Sequence, residues 1–146
     1  MKIYIPTLGR VDNQMTYDNM PKSIQLNTYF VIQPKEESLF KERWPDSNIL
    51  VLPENDCGIT NTRKFIVEYA ADTKYLMIDD DIVFWKRNVD RETGKKNADK
   101  SKSPFTSEDW VSLLEWAESK LDNGYTVAGN RAITLPPKPK NDIEFS

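Results

Sequence analysis

The sequence has 146 residues, 38% of them hydrophobic, a formal net charge of -3, one cysteine and no histidine. This length suits one domain with a sizeable core, and the mild charge does not indicate a nucleic-acid binder by bulk electrostatics. The missing histidine excludes Ser-His-Asp and Cys-His nucleophile schemes. The lone cysteine excludes an internal disulfide, and no signal peptide or membrane-length apolar run is present. We therefore expect a cytoplasmic protein.

The first half of the chain alternates short apolar runs with helical segments. Runs rich in β-branched and aromatic residues predict strands near 2–6, 28–33, 48–52 and 74–79. Between them we predict helices near 14–22, 35–44 and 59–71, with inner sides formed by Leu39, Phe40 and Trp44 on the second and by Ile59, Ile66, Tyr69 and Ala70 on the third. This alternation predicts an α/β fold with a doubly wound, mostly parallel sheet, three α/β/α layers, and strands in the spatial order third, second, first, fourth.

After Trp85 the composition changes. Residues 86–102 carry seven basic against three acidic side chains, so we predict a mobile basic surface loop at about 86–105. An amphipathic helix follows a variant capping box at Thr106 to Asp109, and its apolar positions are Trp110, Leu113, Leu114, Ala117 and Leu121. Residues 125–128 are a candidate fifth strand. We expect a single domain over residues 1–135 and an extended or disordered tail over 136–146.

Three consecutive carboxylates, Asp79, Asp80 and Asp81, follow the buried run of the fourth strand. Like charges at adjacent positions repel, and a bound divalent cation such as Mg2+ or Mn2+ would relieve the repulsion. Because side chains alternate along a strand, we expect Asp79 and Asp81 on one side and Asp80 on the other. The alternative is a strand that ends in an acidic, solvated turn.

Three segments together resemble the nucleotide-binding half of glycosyltransferases with the GT-A fold. Pro6 to Arg10 follows the first strand, Gly58 to Lys64 opens the third helix, and Asp79 to Asp81 ends the fourth strand, in that family's order and spacing. The resemblance implies a Rossmann-like GT-A domain that binds a nucleotide-sugar donor, a UDP-sugar such as UDP-glucose, together with Mn2+ or Mg2+. The first two segments are also similar to a small phage group that glycosylates hydroxymethylated pyrimidines in DNA.

The resemblance also implies roles for single residues. Asp81 would bind the cation directly, Asp79 would reach it through water or contact the ribose, and Asp80 would orient the sugar. Arg63 would clasp the diphosphate at the amino end of a helix, with an ion pair to the Asp cluster as its alternative role. The implied donor site comprises Pro6, Thr7, Arg10, Gln33 (where the family often has an acidic residue that contacts the base), Gly58, Asn61, Arg63, Lys64, Asp79 and Asp80, with Asp79 and Asp81 as metal ligands.

We therefore predict a metal-dependent glycosyltransferase that acts on a hydroxymethylated DNA base, in the host cytoplasm if it is encoded by a phage. Two other classes stay open: a nucleotidyltransferase, and a non-catalytic module that binds nucleotide-sugars. The chain is short for the family, so we expect its acceptor-binding half to be missing or reduced. The basic loop, Trp85 and Gly129 to Arg131 are candidate contacts for acceptor or sugar. The sequence names no catalytic base; the acidic residues considered for it are Glu108 and Asp109.

Overall fold

A four-stranded parallel sheet forms the centre of the computed structural model, which describes residues 1–71, 73–87 and 102–125. Its strands are β1 (Lys2–Pro6), β2 (Thr28–Ile32), β3 (Asn48–Val51) and β4 (Tyr75–Met77). They lie in the order β3-β2-β1-β4, and every neighbouring pair is parallel. The predicted α/β fold and strand order are confirmed. Strand β4 is shorter than predicted and ends before the three aspartates.

Five α-helices accompany the sheet in the described part of the chain. They are α1 (Met15–Asp18), α2 (Lys22–Gln25), α3 (Glu37–Arg43, entered through a 3-10 turn at Pro34–Glu36), α4 (Gly58–Tyr69) and α5 (Ser107–Asp122). The single helix predicted near 14–22 is wrong, because Pro21 has no N–H to continue a helix and instead precedes the first residue of α2. Within the described ranges, no helix combines the length and apolar character needed to cross a membrane.

The two faces of the sheet are covered by different helices. Side chains alternate along β1, so Ile3 and Ile5 face one side and Tyr4 faces the other. The first side packs against residues of α1, α2, α3 and α5, and the buried members of this cluster are Ile3, Ile5, Tyr17, Met20, Ile24, Phe30, Ile32, Phe40, Ile78 and Trp110. The second side packs against α4 through Ile66 and Ala70. Helices on both faces are the predicted three-layer arrangement.

The predicted helix stripes are partly wrong. Phe40, Ile66 and Ala70 are buried as predicted, but Leu39, Ile59 and Tyr69 are 52%, 53% and 51% exposed. Adjacent helix positions point about 100° apart, so Phe40 and Leu39 cannot both face the sheet. Ile59 lies in the first turn of α4, beyond the end of the sheet, where it borders a cavity.

A two-stranded antiparallel ribbon, β5 (Trp85–Arg87) and β6 (Lys102–Pro104), precedes α5. The prediction of a loop over about 86–105 is therefore wrong at both ends of this range, where the residues form hydrogen-bonded strands. The ribbon was missed because its strands show no apolar alternation; the apolar residues that anchor it, Phe84 and Phe105, flank the strands and pack against Trp110. The middle of the basic segment, the candidate fifth strand beyond Tyr125 and the tail lie outside the described residues.

The start of α5 confirms the predicted capping box. The Thr106 hydroxyl accepts a hydrogen bond from the Asp109 backbone N–H at 3.3 Å, and the Asp109 carboxylate accepts one from the Thr106 N–H at 3.0 Å. The backbone N–H of Thr106 and the ammonium group of Lys86 lower the pKa of Asp109 below its usual value. Asp109 therefore serves the helix start and stays ionised at neutral pH.

Candidate functional site

A cavity of about 300 Å³ lies at the carboxyl ends of the four strands, the edge at which open α/β sheets bind ligands. Its volume suits a small-molecule ligand. Most of the predicted site residues border it, namely Pro6, Thr7, Arg10, Gln33, Gly58, Arg63, Asp79, Asp80 and Asp81. It is completed by four residues that we did not predict: Leu8, Leu52, Ile59 and Thr62.

Two predicted residues are not brought to the cavity. The Asn61 side chain donates a hydrogen bond to the Cys57 carbonyl at 2.9 Å, and Lys64 forms an exposed ion pair with Glu68 at 3.7 Å. The residues of α4 that border the cavity are Gly58, Ile59, Thr62 and Arg63. Positions 61 and 64 lie on the other side of the helix, because one turn takes 3.6 residues.

Charged side chains of both signs meet at one end of the cavity. Arg63 Nη2 lies 2.7 Å from Asp79 Oδ1, while Arg10 Nη1 lies 2.9 Å from Asp80 Oδ1 and 3.2 Å from Asp81 Oδ2. The hydrogen bond with Asp81 and the charge of Asp80 raise the pKa of Arg10, so its guanidinium group stays charged. The cluster holds three carboxylates against two guanidinium groups, which leaves one excess negative charge to attract a cation.

The three aspartates differ in what they can contact. Asp80 is buried, and its two carboxylate oxygens accept hydrogen bonds from the Thr7 hydroxyl at 2.6 Å and from Arg10 at 2.9 Å. The Asp79 and Asp81 side chains are about half exposed. The expected strand alternation does not apply, because β4 ends at Met77 and all three aspartates border the same cavity from a turn. Asp80 thus orients Thr7 and Arg10, and Asp79 and Asp81 are the accessible carboxylates.

The uncharged end of the cavity is built at the ends of β2 and β3. Gln33 is 2% exposed, and its Oε1 accepts a hydrogen bond from the Asp56 N–H at 2.9 Å. Its amide group makes no other hydrogen bond within the described residues, so Nε2 remains a donor for a ligand. Leu52, which follows β3, is buried beside it on the cavity wall.

Backbone geometry at two glycines shapes the cavity walls. Gly9 has φ +68°, and its N–H donates to the buried Glu36 carboxylate at 2.6 Å, which fixes the loop between Thr7 and Arg10. Gly58 has φ +69° and opens α4, whose amino end has no side-chain cap. The residue before it, Cys57, is half-buried, and its thiol donates to the Glu54 carbonyl at 3.1 Å.

The accessible carboxylates suit a hard divalent cation whose remaining ligands come from a substrate. No group of three or more His, Cys, Asp or Glu side chains is arranged to hold a metal ion in the part of the chain that the structure describes. Mg2+ and Mn2+ are commonly held by one or two carboxylates with substrate phosphates and water rather than by a closed protein cage. Asp79 and Asp81 supply that number of accessible carboxylates on one cavity.

The acidic residues considered as catalytic base do not border the cavity. Asp109 belongs to the capping box of α5 and pairs with Lys86 at 2.9 Å. The pKa of Glu108 is lowered by hydrogen bonds from its own backbone N–H and from the Thr106 hydroxyl. A base must reach the proton that it removes and needs a pKa near the working pH, so neither residue suits this role.

The chain is similar to known glycosyltransferases. The family model of the TET-associated glycosyltransferase matches residues 1–132. Two curated proteins named beta-glucosyl-HMC-alpha-glucosyl-transferase, from Enterobacteria phages T6 and T2, are each 25% identical over 126 residues, which is 86% of this chain and 44% of theirs. The chain thus spans less than half the length of these relatives. No solved structure matches it. Since the family match includes the whole parallel sheet and every residue that borders the cavity, the chain belongs to the TET-associated glycosyltransferase family.

Proposed function

We propose that the cavity binds a nucleotide-sugar together with Mn2+ or Mg2+, and that the sugar is transferred to a hydroxymethylated base in DNA. The observation that carries the proposal is the pairing of Arg10 and Arg63 with three carboxylates at the carboxyl edge of a parallel sheet. The family match supports sugar transfer, and the names of the two phage relatives support a glucose donor and an acceptor that contains HMC.

The two ends of the cavity suit the two ends of a nucleotide. Because the strands lie in the order β3-β2-β1-β4, the residues that follow them along the edge of the sheet are, in spatial order, Leu52, Gln33, Thr7 and Asp79. With strands spaced at about 4.8 Å, this edge spans roughly 14 Å. A base would lie at the Leu52 and Gln33 end, where Gln33 Nε2 would donate to a carbonyl oxygen of the ring. The diphosphate would lie at the charged end.

Binding at the charged end would be an exchange of ion-pair partners. Asp79 and Asp81 would turn to the cation, and their present partners, Arg63 and Arg10, would then donate to the phosphate oxygens. When bound, the cation would neutralise the charge that develops on the leaving diphosphate. Asp80 would keep Arg10 in place throughout, because its own two oxygens are already engaged.

The direct test is a transfer assay. The protein is incubated with UDP-glucose and Mn2+ and with duplex oligonucleotides that contain cytosine, hydroxymethylcytosine or glucosylated hydroxymethylcytosine, and the DNA is examined by mass spectrometry. We expect one added hexose on a hydroxymethylated or glucosylated oligonucleotide and none on the cytosine control. Nucleotide-sugar binding without transfer would support the non-catalytic module instead, and transfer of a nucleotidyl group would support a nucleotidyltransferase.

DNA binding by the basic segment over residues 86–102 is a separate prediction. Each phosphate neutralised by a lysine contributes up to about 0.9 to the slope of log affinity against log salt. Replacing Lys95, Lys96, Lys100 and Lys102 together by glutamine should flatten the slope by up to about 3 to 4 and leave nucleotide-sugar affinity unchanged. Fluorescence anisotropy across a salt series measures the slope.

The matched control for this prediction removes the same charge elsewhere. It replaces four lysines spread over the surface of the described chain, Lys2, Lys22, Lys41 and Lys74, by glutamine. The control should change the slope much less. An unchanged slope in the variant of the basic segment, or no DNA binding at low salt, would show that this segment does not contact the acceptor.

A further inference from the structure

One short segment joins the two loops that form the charged end of the cavity. Gln14 and Thr16, which we call the brace, flank the first residue of α1. Both side chains are completely buried, and neither borders the cavity. Their hydrogen bonds reach across the fold to the loop that follows β1 and to the turn that follows β4.

Thr16 holds the backbone of the acidic turn. Its hydroxyl donates to the Asp79 carbonyl at 2.6 Å and accepts from the Ile82 N–H at 2.8 Å. The Thr16 N–H donates to the Asp80 carbonyl at 3.0 Å. Sheet pairing cannot hold this turn, because β4 ends at Met77. One residue therefore fixes backbone groups of the turn from Asp79 to Ile82.

Gln14 holds the opposite loop. Its Nε2 donates to the Thr7 hydroxyl and to the Arg10 carbonyl, both at 2.9 Å. The Thr7 hydroxyl in turn donates to Asp80 at 2.6 Å. Two consecutive hydrogen bonds thus run from the brace through Thr7 to the carboxylate that orients Arg10.

We propose that Thr16 is a positioning residue of the donor site, which holds the backbone of the turn so that the Asp79 and Asp81 side chains stay at the cavity, where they would bind the cation. The inference rests on the proposed function. Mutual repulsion among adjacent carboxylates favours conformations in which they separate. Without Thr16 the turn would populate conformations in which the carboxylates lie farther apart. Binding of the donor and the cation would then have to order the turn, and this cost would weaken the affinity.

The test compares two substitutions at Thr16. Thr16→Val keeps the shape and removes the hydroxyl, whereas Thr16→Ser keeps the hydroxyl. Removal of groups that orient metal ligands typically weakens metal binding or activity by about 10- to 100-fold. We expect a loss of that size in the affinity for UDP-glucose with Mn2+ for the valine variant, and an affinity close to wild type for the serine variant, both by calorimetry well below the unfolding temperature.

Thr28→Val is the matched control. Thr28, the first residue of β2, is also completely buried and does not border the cavity. Its hydroxyl donates to the Ile24 carbonyl at 2.9 Å. It should lower stability similarly and leave donor affinity unchanged. The proposal is overturned if Thr28→Val weakens donor binding as much as Thr16→Val does, or if Thr16→Val binds the donor like wild type.

A second measurement separates this inference from the proposed function. The Ile82 amide donates directly to the Thr16 hydroxyl, so its hydrogen exchange, measured by NMR without ligand, should become at least about 10-fold faster in Thr16→Val than in Thr28→Val. Absence of nucleotide-sugar binding in the wild type would refute the proposed function alone. The exchange rate would then decide whether Thr16 orders the turn, and unchanged protection of Ile82 would overturn that role.

Discussion

Replacing Asp81 by asparagine is expected to weaken the metal-dependent binding of a nucleotide-sugar by at least about 100-fold, or about 2.7 kcal/mol. Asparagine keeps the shape of the side chain and removes its charge, so the cation loses one of its accessible carboxylates. The fold should persist, because the Asp81 side chain is 54% exposed and its ion pair with Arg10, at 3.2 Å, lies at the surface. Calorimetric titration of UDP-glucose in the presence of Mn2+ measures the loss.

Asp122→Asn is the control for this experiment. Asp122 also forms an exposed ion pair, with Lys74, but it lies at the last residue of α5 and does not border the cavity. Its substitution should leave donor affinity unchanged. If the wild type binds the donor equally well in EDTA, or if Asp81→Asn binds like wild type, Asp81 is not a metal ligand.

The largest expected loss of stability follows the replacement of Trp110 by alanine, about 3 to 5 kcal/mol. Trp110 is 1% exposed, and its ring centroid lies 4.6 Å from that of Phe84 and 5.7 Å from that of Phe105. These contacts attach α5 and the ends of the β5–β6 ribbon to the core. Urea unfolding of the purified variant measures the free energy of unfolding.

Trp110→Phe provides the comparison. The indole N–H of Trp110 is buried and has no hydrogen-bond partner among the described residues, so phenylalanine removes an unsatisfied donor while it keeps an aromatic ring. Trp110→Phe should lower the free energy of unfolding by less than half as much as Trp110→Ala does. A loss below about 1 kcal/mol for Trp110→Ala would mean that α5 is not anchored to the core in this way.

The sheet was predictable because local sequence and global topology agree. Runs such as Phe30 to Ile32 are both β-branched or aromatic and buried, and short connections leave few alternatives to a parallel doubly wound order. The errors arise where burial depends on a distant partner. Leu39 and Phe40 are adjacent apolar residues of α3, and only the position of the sheet decides that Phe40 is the buried one.

The candidate site was predictable to the extent that its residues follow strand ends. Thr7, Gln33 and Asp79 come together because parallel strands end at one edge. The supporting residues were missed because nothing local marks them: Thr16 lies in a single helical turn and contacts a segment more than 60 residues away, and Gln14, just before that turn, hydrogen-bonds the loop that follows β1. The domain boundary near residue 135, the tail and the cytoplasmic location stay predictions.

The position of Cys57 has a practical consequence. It is the only cysteine of the sequence, it is partly accessible, and it directly precedes Gly58 on the cavity wall. A thiol-reactive fluorophore would therefore attach at one place on the chain, beside the proposed donor site and near its uncharged end. Its emission would report on occupancy in real time, and nucleotides, sugars and metals could be screened in a plate reader with no engineered cysteine.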